Sequence, residues 1–84
     1  MQTLTIKIPF TFYHTESDLR DAIELLEFTV HNHLPLASLR AYNQIFAAIL
    51  HCRKNETLSL SVLSDLQSRL VCLHRAVLTL NGVL

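Results

Sequence analysis

The sequence predicts a mostly α-helical domain that pairs with a copy of itself. It has one N-terminal β-strand and then three helices, the second and third forming an antiparallel hairpin. Three observations carry this reading. Apolar and polar residues alternate with period two over residues 3–12, the pattern of a strand with one buried face. Apolar residues then recur at helical spacing in three later segments. Charged residues make up only 17% of the 84 residues, against about 25% in an ordinary soluble domain. A chain this short exposes proportionally more surface and needs more charge, not less, so the deficit points to surface covered by a partner.

In the strand, Leu4, Ile6, Ile8, Phe10 and Phe12 alternate with Thr3, Thr5, Lys7, Pro9 and Thr11. Pro9 removes a ladder donor, so pairing is expected mainly over residues 2–8. No second strand is legible downstream. A lone strand leaves a row of backbone N–H and C=O groups that must be satisfied by a second copy or by another protein.

The first helix is expected over about residues 17–32, with Ser17 as N-cap and Asp18 and Asp21 in the first turn. Leu19, Ala22, Ile23, Leu26 and Val30 share one face. Arg20, Asp21, Glu24 and Glu27 share the other, where Phe28 also falls, with Leu25 at its edge. The acids have an ordinary explanation as a solvated face favoured by the helix dipole. A phenylalanine among them has none on the sequence alone, unless neighbouring structure covers it. Glu24, Glu27 and Phe28 are therefore candidate contacts with a second protein.

Pro35 suits the first turn of the second helix, expected over about residues 35–53. Its apolar arc is wide: Leu36, Leu39, Tyr42, Ile45, Phe46, Ile49 and Leu50, with Ala41, Ala47 and Ala48 alongside. An arc this broad predicts a central helix with neighbours on two sides. After the loop at residues 54–57, the third helix is expected over about residues 59–80, stopped by Asn81-Gly82. One stripe, Leu63, Leu66, Leu70, Leu73, Val77 and Leu80, holds a three-four spacing over nearly three heptads, as in a packed seam. A thinner second stripe reads Leu60, Val71 and Leu78, with Gln67 and His74 between them. Two stripes exceed what a helical hairpin needs, and Leu60, Val71, His74 and Leu78 are candidate interface residues. With the strand's Leu4, Ile6 and Ile8 they complete the predicted interface.

Several chemistries are poorly supplied. The one glycine, Gly82, gives no phosphate loop and no nucleophile elbow. Five histidines and two cysteines invite a metal reading through His51-Cys52 and Cys72-x-His74. Neighbouring helix residues diverge by about 100°, which scatters that set. In the expected hairpin the two cysteines stand about ten residues out of level, roughly 15 Å along the axis. A disulfide allows about 7 Å between Cα atoms. No cofactor, no metal and no catalytic residues are expected. No signal peptide is legible and no run of about 18 apolar residues exists, so a cytoplasmic protein is the default expectation.

Formal net charge is zero, which argues against a protein that coats nucleic acid. The order of elements nevertheless resembles that of ribbon-helix-helix repressors. Strand Thr3–Ile8 is followed by a helix from Ser17 and another from Pro35, and the resemblance covers about residues 3–50. It implies two copies pairing their strands into an antiparallel ribbon, with Thr3, Thr5 and Lys7 reading the DNA major groove. The leading expectation is different. It is a non-enzymatic regulatory or adaptor protein acting by protein–protein contact, such as an inhibitor, antirepressor or accessory factor of phage or mobile-element kind. Its partners would be itself, as a homodimer, and an unidentified protein, with nucleic acid only in the alternative and no membrane.

Overall fold

The computed structural model describes residues 15–83. They form three helices: α1 (Glu16–His31), α2 (Pro35–Lys54) and α3 (Leu60–Leu80). The expected strand at residues 3–12, with Leu4, Ile6, Ile8 and the candidate DNA contacts Thr3, Thr5 and Lys7, lies outside the described residues.

The N-cap of α1 lies two residues before the expected one. Thr15, not Ser17, is the N-cap, and its hydroxyl accepts a hydrogen bond from the Asp18 N–H at 3.1 Å. Thr15-Glu16-Ser17-Asp18 fits the Ser/Thr-x-x-acid pattern that marks a helix start. α3 starts as its sequence implies, with the Ser59 hydroxyl accepting from the Val62 N–H.

All three helices stop in the same way. An asparagine ends each one, Asn32, Asn55 and Asn81, and its side-chain amide donates back one turn to Phe28, His51 and Val77 carbonyls respectively. The next residue is left-handed in each case: His33 at φ 57°, Glu56 at φ 54° and Gly82 at φ 76°. The residue after that closes a six-to-one bond, from Leu34 to Thr29, Thr57 to Cys52 and Val83 to Leu78. This is the Schellman closure, which satisfies carbonyls that a helix end otherwise orphans.

The helices run up, down and up. Asn81 donates to the Pro35 carbonyl, Tyr42 stacks on His74, and Arg53 donates to Gln67. These three contacts make α2 and α3 an antiparallel hairpin. Arg20 reaches Asp65 and Arg69 reaches Glu27, so α1 lies alongside α3 in the same direction. Between the three sits a core in which Leu19, Ile23 and Leu26 meet Ile45 and Ile49 of α2 and Leu63, Leu66, Leu70 and Val77 of α3.

The core departs from the apolar stripes in one helix. α2 packs against both neighbours, as a central helix should, yet Leu36, Phe46 and Leu50 are exposed. Its buried side is instead Ser38, Ile45, Ala48, Ile49 and Cys52. The wide arc is therefore not all core. A helix flanked by two others buries the sector facing them and leaves the flank beyond in solvent. Ser38 and Thr29 enter the core because each hydroxyl donates to a carbonyl three residues back, Pro35 and Leu26, at 2.8 and 2.7 Å. That removes the cost of burying them.

Candidate functional site

Two surfaces carry large apolar side chains that the fold does not cover. One is on α1. Leu25 and Phe28, three residues apart and so adjacent on the helix surface, are 55% and 58% exposed. Both point away from the buried row Leu19, Ile23 and Leu26. Asp21 and Glu24 flank them and are also exposed. Phe28 is held by the end of its helix, because its carbonyl takes both the backbone and the side-chain N–H of Asn32. The sequence left open whether neighbouring structure covers this ring, and among the described residues none does.

The acidic residues of α1 divide in two. Glu16 pairs within α1 and Glu27 reaches α3. Glu16 holds the Arg20 guanidinium, which also reaches Asp65, and these contacts raise the Arg20 pKa above its ordinary value, the Glu16 hydrogen bond most. Glu27 meets Arg69 at 3.4 Å. Asp21 and Glu24 make no ion pair among the described residues and stand beside Leu25 and Phe28. Of the three α1 residues expected at a partner surface, Glu24 and Phe28 thus share an outward patch, while Glu27 faces an arginine of its own chain.

The second surface runs along the open edge of the α2–α3 hairpin. On α3 it holds the thin stripe expected from the sequence. Leu60 and Val71 are exposed, Leu78 is half-buried, and His74 is exposed at its edge. His74 is not isolated there: its ring stacks on Tyr42 with centroids 5.0 Å apart, and Tyr42 stacks in turn with Phe46 at 6.2 Å. Burial pushes the Tyr42 hydroxyl pKa up. The row thereby passes from α3 onto α2 and continues to Phe46 and Leu50. These α2 residues were missed as surface candidates because they read as core. The available signal was the width of the α2 arc itself, which exceeds what two neighbours can bury.

Beside Val71 a shallow hollow is lined by Ser64, Gln67, Ser68, Val71 and Cys72. Four of these follow the i, i+3, i+4, i+7 spacing that forms a hole for a knob from a facing helix. Cys52 is buried in the core and Cys72 is exposed on α3. Among the described residues, no three His, Cys, Asp or Glu side chains are grouped so as to hold a metal ion. No helix among them is long and apolar enough to cross a membrane. No family model matches this chain, and no curated protein or solved structure matches it.

Proposed function

We propose that this chain is a non-enzymatic adaptor or inhibitor that works as a homodimer and holds a second protein through α1. The observation that supports this reading is the pair Leu25 and Phe28, left outside a core that is already complete without them. Large apolar groups scattered singly on a surface are ordinary. An aromatic beside a leucine, ringed by carboxylates with no ion pair among the described residues, has the composition of a binding anchor with a polar rim. Its chemistry selects the partner. An apolar side chain that fits beside Phe28, flanked by lysine or arginine to meet Asp21 and Glu24, would satisfy both parts of the patch.

The test compares the chain with its Phe28→Glu variant as bait in an extract of the native cell. Phe28 is exposed, so the substitution leaves the core untouched. Loss of an aromatic anchor weakens binding by about tenfold or more, so a partner retained by the natural chain should vanish from the variant. Identical sets of retained proteins would contradict the assignment of α1.

A further inference from the structure

We infer that the segment around Ile6-Lys7-Ile8 folds back over the Leu25–Phe28 patch of α1 and occupies it until a partner displaces it. This rests on the reading of that patch as a binding surface and adds the chain's own occupant.

The patch suits apolar side chains carried beside a cation, and Ile6-Lys7-Ile8 is such a sequence within this chain. Residues 1–14 hold no Asp or Glu, and Lys7 is their one Lys or Arg. Asp21 and Glu24 are exposed and have no ion pair among the described residues. Arg20, on the same helix, is already held by Glu16 and Asp65. The other uncovered surface, the α2–α3 edge, presents exposed Arg53 and Arg75, which would repel Lys7. Opposite charge thus directs the segment to α1, and like charge turns it away from the hairpin.

The path is short. The chain enters α1 at Thr15, so the return starts at the foot of the same helix. Ser17, Asp21, Glu24 and Phe28 fall at i, i+4, i+7 and i+11, one row that leads from the cap to the ring. A shallow hollow lined by Ser17, Asp21 and Glu24 lies along the first part of that row. From Thr15, Leu25 is about 15 Å and Phe28 about 20 Å along the axis, at 1.5 Å per residue. An extended chain covers about 3.4 Å per residue, so Ile8 reaches up to about 24 Å from Thr15 and Ile6 up to about 31 Å. Both arrive at the ring with length left for the turn. A segment lying on a helix keeps both of its backbone edges in water, so its N–H and C=O groups stay hydrated. A partner then binds only the molecules whose patch is open, and its apparent affinity falls by that fraction.

The experiment places a nitroxide at Thr5→Cys in the full chain carrying Cys72→Ser, and reads the broadening of backbone amide signals by NMR. Cys52 is buried, so the label goes to position 5 alone. Broadening is expected to be strongest at residues 24–28, with the signals of residues 46–50 and 71–75 largely kept. Adding Lys7→Glu is expected to weaken that broadening by about twofold or more, the scale of an exposed ion pair. Unchanged core amide shifts check that each variant folds. A mixture of isotope-labelled chain without nitroxide and unlabelled chain with it reads contacts between copies alone. Equal broadening at residues 24–28 in that mixture, strongest broadening at residues 46–50, or no preference among the three helices overturns the inference. No partner is present in this measurement, so it and the Phe28→Glu bait comparison fail independently.

Discussion

Cys52 has no exposed surface, and burial pushes its thiol pKa up while a hydrogen bond with Thr57 pulls it down. The net direction is upward from 9.0. In the unfolded chain the thiol ionises once the pH passes that value, while in the folded chain it keeps its proton. The unfolded state then binds fewer protons than the native state, and stability falls as pH rises. The contribution is fully present below about pH 9 and is lost progressively as pH climbs toward the folded value. Tyr42, also pushed up by burial, adds a similar loss above its ordinary value of 10.0. Urea midpoints measured at about pH 8 and about pH 10 should therefore fall for the natural chain and fall less for Cys52→Ala. Equal slopes in the two proteins would show that the thiol titrates alike in both states. Cys52, with Thr29 and Ser38, was also the part of the core least legible in the sequence. Apolar periodicity does not mark such residues, and the two hydroxyl residues are buried because local hydrogen bonds, invisible to a stripe, satisfy them.

The helix ends carry the clearest local logic. Each asparagine satisfies a carbonyl of the last turn, and the residue after it takes positive φ. Only α3 places a glycine there, so Asn81-Gly82 was readable as a stop. His33 and Glu56 hold the same conformation with a Cβ, at a cost that a glycine avoids. Glu56→Gly is expected to raise stability by about 0.5–1 kcal/mol, after allowing for the extra freedom of glycine in the unfolded chain. A thermal melt of the variant checks it, and a lowered Tm would mean that the Glu56 side chain contributes something that its backbone angle does not reveal. The stripes of α1 and α3 were legible because each has a single core-facing side: Leu19, Ile23 and Leu26, and Leu63, Leu66, Leu70 and Val77, are buried together. The α2 arc was not, because apolar character alone cannot separate a side chain facing a neighbouring helix from one facing a second molecule. Phe46 and Ile45 read alike in sequence, and only the placement of α3 puts one outside and the other in the core.

At the scale of the whole molecule, the two uncovered surfaces differ in charge as well as in position. The hairpin edge carries Arg53 and Arg75 beside its apolar row, and α1 presents Asp21 and Glu24 around Leu25 and Phe28. This asymmetry was partly legible. The acids of residues 16–27 and the out-of-place phenylalanine could be read directly, and the thin stripe of α3 stood out as surplus to a hairpin. The continuation of that stripe across Tyr42 to Phe46 could not be read, since it depends on the register between α2 and α3. The low charge content of the chain is what the two proposed partners would require, a second copy and another protein. The central claim is the second of these. A photoreactive phenylalanine analogue at position 28, with the same analogue at exposed Arg40 on α2 as control, tests it most directly in the native cell. The account predicts a light-dependent adduct from position 28, and not from position 40, that contains a protein other than this chain. Adducts from position 28 made only of copies of this chain, or the same adducts from both positions, would contradict it.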